Sequence, residues 1–276
     1  MLGHRLKGSL KGLLARRDGG APRRPPDHDP FEAQRRLLLG HRVGTVVDVG
    51  AFVGDASARY RSLFPDATVY SFEPFADAYA RLEARFRKDE FVRPQQLAMA
   101  ERVGAVEVRV DGEIATAADE SPSPPPGAAG EGSGSDAAPP AADAEKTVAG
   151  AAAATTVERI SITTLDAFCR ERNLAGIDLL RLDLLGDEAA ALRGAGDLLG
   201  RKAVMLIYAV GVAFVPQRER EGGALFHDVA GLLAGYGYGV YNLYGLNHGE
   251  SGQLESADAL FVSPEIRRRA IDDPSP

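Results

Sequence analysis

A doubly wound α/β fold, with one mostly parallel sheet covered by helices on both faces, is predicted by three features of the sequence. Short apolar runs alternate with helical segments along most of the chain, which is the order expected of β-α-β units. The runs are nearly continuous in apolar residues, as in Thr45–Val49, because strands of such a sheet are buried on both faces. A glycine turn or an acidic residue closes three of these runs, and open α/β sheets bind ligands beyond such strand ends.

Periodicity and length predict the elements in chain order. Helical spacing begins near Phe31 and returns over 55–63, between the first apolar run and a second run at 68–72. Further strands are predicted at 91–98, 105–110, 159–163, 177–183 and 204–210. Further helices are predicted at 75–86, at 165–172, from about 188, and at 225–233. The last two strands, 240–244 and 259–262, are expected to form an antiparallel pair at the edge of the sheet.

The chain is predicted to form a single domain over residues 30–266, with a basic tail or helix at 1–29 and a C-terminal tail at 267–276. Within the domain, residues 115–154 are rich in proline, alanine and glycine and nearly lack large apolar side chains. Such a segment buries too little surface to offset the entropy lost on ordering. We therefore expect a disordered insert. An interdomain linker is the alternative, which is disfavoured because the β-α pattern resumes afterwards.

Composition and charge restrict the partners and the location of the protein. The net charge is −7, which gives nucleic acid no reason to bind. The single cysteine, Cys169, suits a reducing compartment, and no apolar run approaches the length of a membrane span, so a cytoplasmic protein is expected. Residues 1–24 are basic, unlike the chain as a whole, because they contain seven lysines and arginines and one acidic residue, Asp18. They predict an amphipathic helix that could touch an anionic membrane weakly. A frayed or packed terminal helix is the alternative.

A pair of glycines, Gly50 and Gly54, follows the first predicted strand. Glycines in a strand-to-helix turn let a ligand approach the backbone closely, so both are candidate cofactor-binding residues. Their spacing is G-x-x-x-G rather than the G-x-G-x-x-G of dinucleotide-binding loops, which disfavours an oxidoreductase with a nicotinamide or flavin cofactor. The alternative is that the two glycines serve the turn alone.

An acidic residue, Glu73, directly follows the second predicted strand and precedes Pro74. A carboxylate at this place can accept two hydrogen bonds from the diol of a ribose, and the proline fixes the turn that would aim it. Glu73 is therefore predicted to bind the ribose of a nucleoside cofactor. The alternative is a solvated acid at the start of the next helix.

Asp183 ends the buried strand at 177–183, again on the ligand side of the sheet. A charge at such a place must be paired or must face a solvated cleft. Arg181 shares a strand face with Asp183, so a salt bridge between the two is the alternative to a role in the chemistry.

Together these motifs resemble those of the FkbM-type methyltransferases. The matching segments are 47–54, 72–74, 164–168, 177–188 and 258–262. The resemblance implies a Rossmann-like class I methyltransferase fold, S-adenosyl-L-methionine (SAM) as methyl donor, and O-methylation, commonly of a sugar, glycan or secondary metabolite. It also implies that Asp48, Gly50 and Gly54 belong to the cofactor loop, that Glu73 binds the ribose, and that Asp183 is an acid of the active site.

The chain departs from the usual pattern of this family at four places. It has Phe52 where the family usually has Asn, Arg181 where it usually has Lys, and Leu185 where it usually has Glu. A later strand often ends in Glu in the family, and here it ends near Gly211 without an acid. The loss of two carboxylates leaves SAM binding better supported than turnover. Leu185 also makes the cleft less polar, which suits a less polar acceptor than a free sugar.

Transfer of a methyl group to a hydroxyl oxygen needs in-line positioning and removal of the hydroxyl proton. Asp183 and His248 are the candidate bases. A histidine titrates near neutral pH, but Asp183 is favoured because a strand end is held more rigidly than the glycine-rich loop predicted over 245–249. Asp183 or Glu188 could ligate a divalent metal, but the ligand set is too small to predict a metal site.

Two functions stay open at this point. The favoured one is an active SAM-dependent O-methyltransferase with a small-molecule or glycan acceptor. The alternative is a SAM-binding but catalytically impaired relative that serves as a partner or regulatory protein.

Overall fold

The computed structural model describes residues 28–111, 114–117, 156–216 and 223–272. In chain order, the strands of these ranges are β1 Thr45–Val49, β2 Thr68–Phe72, β3 Val92–Gln95, β4 Ala98–Met99, β5 Gly104–Asp111, β6 Ile114–Ala117, β7 Thr156–Thr163, β8 Ile177–Leu182, β9 Val204–Ala213, β10 Gly239–His248 and β11 Leu254–Val262. The helices are α1 Pro30–Leu37, α2 Asp55–Leu63, α3 Ala76–Phe86, α4 Leu165–Glu171, α5 Glu188–Arg193, α6 Gly196–Gly200, α7 Phe226–Gly235 and α8 Pro264–Ile266. A π-helical turn, Arg267–Asp272, follows α8.

Seven of the described strands form one large sheet, in the order β3-β2-β1-β8-β9-β11-β10. The pairs β1-β2, β2-β3, β1-β8 and β8-β9 are parallel. β11 is antiparallel to both of its neighbours, β9 and β10. The predicted mostly parallel sheet with an antiparallel edge is therefore confirmed. The last two strands are longer than expected, and β11 is inserted between β9 and β10.

Helices cover both faces of the large sheet, as the apolar strands require. On one face, α4 to α7 pack against a cluster that includes Val47, Leu180 and Ile207. On the other face, α1, α2, α3 and α8 pack against a cluster that includes Val46 and Leu179. Alternate residues of β1 and β8 thus enter opposite cores, which is the strand periodicity of two. The doubly wound architecture is confirmed.

Local capping explains where some of these helices begin. Asp29 Oδ1 accepts a hydrogen bond from the backbone N–H of Phe31 at 3.0 Å, with Pro30 at the first helical position of α1. Thr164 Oγ1 accepts one from Ala167 N at 3.0 Å at the start of α4. Short polar side chains at this position satisfy an N–H that has no partner within the helix.

A small second sheet, in the order β4-β7-β5-β6, stands beside the large one. The extended character of β5 and β7 is confirmed, but the prediction did not separate them from the main sheet. A cluster of Val108, Ile160 and Ile162, with Phe75 against it, forms the small core of this unit.

Several predicted segments fall partly or wholly outside the described residues. The first three residues of the predicted insert over 115–154 belong to β6, which pairs antiparallel with β5. The remainder of the insert lies outside the described residues. The predicted basic helix of residues 1–24 also lies outside them. Of the predicted C-terminal tail, residues 267–272 form the π-helical turn. Among the described residues, no helix is long and apolar enough to cross a membrane.

Candidate active site

The ends of β1, β2 and β8 meet at one edge of the large sheet. β1 lies at the point where the strand order reverses, with β2 on one side and β8 on the other. The backbone N–H groups of Gly50 and Ala51 donate to the carbonyl oxygen of Phe72, at 3.0 and 2.9 Å, and Asp183 N donates to Val49 O at 3.0 Å. The sheet therefore brings the loops of Gly50, Glu73 and Asp183 together at the place where open α/β sheets bind ligands.

Both predicted glycines are required by close contacts of the chain. Gly50 has φ +77°, and a Cβ atom on it would lie 2.1 Å from the carbonyl oxygen of Asp183. Gly54 has φ +88°, and a Cβ atom there would lie 2.4 Å from Phe86 and 2.7 Å from Leu82 on α3. Any side chain would push the loop away from these neighbours, and positive φ itself favours glycine. The glycines therefore shape the turn, whatever ligand they also meet.

The carboxylate of Glu73 joins the loops that follow β1 and β2. The side chain is buried, with 4% of the residue exposed. Oε2 accepts a hydrogen bond from Phe52 N at 2.9 Å, and Oε1 accepts one from Phe75 N at 3.0 Å. Burial raises the pKa of Glu73 above its ordinary value, and it outweighs the two N–H donors, which act to lower it. Glu73 is therefore fixed in orientation at the strand end.

Asp48 lies beneath this edge and is fully buried. Its Oδ2 accepts from Ser57 Oγ at 2.6 Å, and its Oδ1 accepts from Arg181 Nη1 at 2.8 Å. Ser57 Oγ also lies 2.7 Å from Ser71 Oγ. A cofactor at the strand ends would therefore meet Asp48 through these partners rather than directly.

Arg181 forms the salt bridge with Asp183 that the sequence left as an alternative. Its Nη2 donates to Asp183 Oδ2 at 2.6 Å while its Nη1 holds Asp48. The two amino groups of one planar guanidinium thus bind two carboxylates, which a lysine ammonium is less suited to do. Burial raises the pKa of Asp183, and Asp48 and Asp258 add to this increase, whereas Arg181 opposes it. The Asp183 side chain keeps 30% of its surface accessible.

The loop after β8 is held by Glu188 and carries Leu185 at its tip. Glu188 is buried, and its carboxylate accepts hydrogen bonds from Leu184 N and Gly186 N at 3.1 Å. Because both carboxylate oxygens accept hydrogen bonds from the backbone of this loop, Glu188 fixes the shape of the loop. Within the described ranges, no group of three or more His, Cys, Asp and Glu side chains could hold a metal ion.

Asp258 on β11 is an acid near Asp183 that was not predicted from the sequence as a site residue. It accepts hydrogen bonds from Tyr208 Oη at 2.5 Å and from Gly211 N at 2.9 Å. Asp258 thus stands beside the end of β9, the strand that lacks the acid usual in the resembling family. The signal in the sequence was a charge directly before the apolar run at 259–262, at the start of the segment 258–262 that matches the family. Its meaning depended on β11 lying next to β9, which periodicity does not show.

His248 does not lie in a loop as predicted. It is the last residue of β10, pairs with Leu254 of β11, and is exposed. The strand continues further than expected because β11 offers backbone partners up to this residue. Within the described part of the chain, no hydrogen bond or ion pair joins His248 to Asp183.

The open, doubly wound sheet, with a glycine turn and a buried glutamate at its switch point, defines an α/β protein of the Rossmann-like class. The particular family follows from the sequence profile of the methyltransferase FkbM domain, which matches residues 48–240. The chain belongs to this family, and the resemblance inferred from its motifs is confirmed.

Solved structures of several methyltransferases are similar to this chain. A SAM-bound magnesium protoporphyrin IX methyltransferase from Synechocystis has 12% identity and a TM-score of 0.42, covering 84% of this chain and 77% of its own. A SAM-bound fibrillarin from Aeropyrum pernix has 12% identity and a TM-score of 0.41, covering 84% and 74%. An rRNA methylase from Streptococcus thermophilus has 11% identity and a TM-score of 0.43, covering 88% and 99%. No curated protein matches the sequence.

Proposed function

We propose that the protein is an active SAM-dependent methyltransferase that transfers a methyl group to a hydroxyl oxygen of a small-molecule or glycan acceptor. The observation that carries the proposal is the buried carboxylate of Glu73 at the end of β2, held against the loop of Gly50 and Phe52. Membership of the FkbM family supports the same activity.

The side chains at this edge suit a cationic nucleoside cofactor. Each oxygen of Glu73 accepts one backbone hydrogen bond and keeps a lone pair for a ribose hydroxyl. Asp48 and Asp183 share the single guanidinium of Arg181, and Glu73 adds a third carboxylate at the same edge of the sheet. Their net negative charge favours a ligand with net positive charge, such as SAM. When bound, SAM supplies a methyl group on a positively charged sulfur, which makes that carbon electrophilic.

Asp183 is the proposed base. Bound SAM would supply the methyl carbon to a lone pair of the acceptor oxygen and would keep the electron pair of the broken carbon–sulfur bond on its sulfur. Asp183 would take the proton of the acceptor hydroxyl. The ion pair with Arg181 fixes the orientation of the carboxylate. The raised pKa of Asp183 brings it nearer the range in which a carboxylate accepts a proton readily. His248 is the second candidate base, and its exposed position on β10 makes it the weaker one.

The alternative function is SAM binding without turnover. The observations in its favour are Leu185 and Gly211, where carboxylates are usual in the resembling family. Asp258 beside Gly211 returns an acid to this part of the cleft and supports the active enzyme. Methyl transfer from labelled SAM to a panel of glycans and hydroxylated metabolites separates the two functions.

Calorimetry with SAM tests the cofactor assignment. Glu73→Ala should weaken SAM binding by about 1.5–3 kcal/mol, the range for hydrogen bonds to a charged group. Glu83→Ala, which removes an exposed acid from α3, is the matched control and should leave the affinity unchanged. Equal affinity of wild type and Glu73→Ala would remove Glu73 from the cofactor site.

The pH dependence of SAM binding gives a second readout. Burial raises the pKa of Glu73, so on acidification its negative charge is lost at a higher pH than that of an exposed glutamate. SAM affinity of the wild type should fall as the pH decreases through this range. Glu73→Gln carries no such charge and should show a flatter profile.

A further inference from the structure

Two large apolar side chains are exposed on the loops that follow β1 and β8. Phe52 is 57% exposed and Leu185 is 63% exposed. Both adopt the left-handed backbone conformation, with φ +50° at Phe52 and φ +55° at Leu185. The chain thus places two bulky apolar residues in water and in a conformation that few residues adopt.

This conformation carries a cost for both residues. The left-handed region is uncommon for residues other than glycine, and for a bulky side chain it marks a turn or strain. Asparagine tolerates it better, because its short polar side chain bonds locally. Strained residues that persist in a fold cluster at functional sites. The Arg81 guanidinium lies 5.7 Å from the centre of the Phe52 ring, a contact worth about 0.5–1 kcal/mol at an exposed site. Neither apolar side chain gains burial in the free protein, and contact with an apolar ligand would supply that burial.

The two residues stand on loops that touch each other. Gly50 and Asp183 approach so closely that a Cβ atom on the glycine would lie 2.1 Å from the aspartate carbonyl oxygen. Phe52 lies two residues beyond Gly50, and Leu185 lies two residues beyond Asp183. The partly accessible carboxylate of Asp183 provides a polar group at the contact of the two loops. The arrangement therefore combines an acid with an apolar residue on each adjoining loop.

We propose that Phe52 and Leu185 bind the apolar body of the acceptor, so that the methylated hydroxyl belongs to an aromatic or otherwise apolar molecule rather than to a free sugar. This inference rests on the proposed function and narrows its acceptor class. Contact with the two side chains removes them from water, while the hydroxyl group reaches Asp183. Mostly apolar surroundings with a few placed polar groups are typical of sites that bind small molecules.

Stability measurements test the strain without any ligand. Phe52→Asn and Leu185→Asn should each raise the melting temperature, by about 2–4 °C for relief of a strain of this kind. Leu39→Asn is the matched control, because Leu39 is an exposed apolar residue after the end of α1, away from the cleft, without a positive φ. The control should not raise the melting temperature. A fall in melting temperature for both cleft variants would mean that these side chains stabilise the free protein, which overturns the proposal.

Binding of a defined aromatic alcohol tests the acceptor class. With SAM in excess, 2-naphthol should bind saturably, and a Phe52→Asn/Leu185→Asn double variant should bind it at least about tenfold more weakly, as expected when apolar burial is lost. The chain contains no tryptophan, so naphthol fluorescence can be followed without that background. Methyl glucoside serves as the free-sugar probe. Tighter binding of the glucoside, no saturable naphthol binding, or equal naphthol binding by the double variant would each overturn the proposal.

SAM calorimetry on the same variants separates this proposal from the proposed function. If the wild type does not bind SAM, the proposed function fails. If the wild type binds SAM and the double variant binds it equally well, a naphthol result reports on the acceptor alone. If the double variant loses SAM affinity, the two side chains belong to the cofactor site, and their assignment to the acceptor is overturned.

Discussion

The carboxylate of Asp258 accepts a hydrogen bond from the backbone N–H of Gly211 at 2.9 Å, across the neighbouring strands β11 and β9. Gly211 adopts φ +64°, and the register between the two strands shifts next to Asp258. The same carboxylate accepts from Tyr208 Oη. This contact places an acid from an antiparallel strand at the end of a parallel strand that has none of its own.

Asp258→Ala is expected to destabilise the protein. The substitution leaves the Tyr208 hydroxyl and the Gly211 N–H without this acceptor, and loss of a buried or partly buried partner costs about 1–3 kcal/mol. Urea denaturation measures the free energy of unfolding of each variant. Glu250→Ala, an exposed acid in the turn after β10, should stay within about 0.5 kcal/mol of the wild type. Equal stabilities of the two variants would mean that the Asp258 contacts add nothing to the fold.

Arg181→Met is expected to cost about 3–5 kcal/mol, because it leaves the fully buried Asp48 without its counter-charge. Arg181→Lys should cost less, since a lysine retains the positive charge but does not offer two forked amino groups. Chemical denaturation of both variants gives the comparison. Arg193→Met breaks an exposed pair with Glu101 and should cost less than about 1 kcal/mol. A stable Arg181→Met protein would show that Asp48 does not depend on the guanidinium.

Asp183→Asn is expected to reduce the rate of methyl transfer by about 10²–10⁴, the usual contribution of a general base, while the protein stays folded. His248→Ala should leave the rate near that of the wild type, because His248 is exposed at the end of β10. Single-turnover methyl transfer measures both rates. The opposite pattern, with His248→Ala inactive and Asp183→Asn active, would exchange their roles.

Replacement of residues 118–153 by a short Gly/Ser linker is expected to change the melting temperature little, because doubling a flexible loop costs only about 0.6 kcal/mol. The composition of the segment motivates this prediction. A longer deletion that starts at residue 114 removes β6, which pairs with β5, and should lower the melting temperature. Scanning calorimetry compares the two. A large fall for the shorter deletion would show that the segment packs on the domain.

Local patterns in the sequence were sufficient for the elements and for part of the site. Apolar runs and helical spacing predicted β1, β2, β8 and most helices, because burial on both faces leaves its mark on neighbouring residues. Gly50, Gly54 and Glu73 were recognisable because each directly follows an element whose end was visible in the chain. The Asp183–Arg181 pair was also visible as an alternative, since residues two apart on a strand share a face.

The tertiary structure decided the features that depend on strand order and register. Asp258 reaches the end of β9 only because β11 is inserted between β9 and β10, and His248 lies in a strand only because β11 pairs with it. The left-handed backbone of Phe52 and Leu185 is likewise a feature of the folded loops that no pattern in the sequence predicted. These contacts join residues far apart in the chain, and periodicity within one element carries no information about which elements become neighbours.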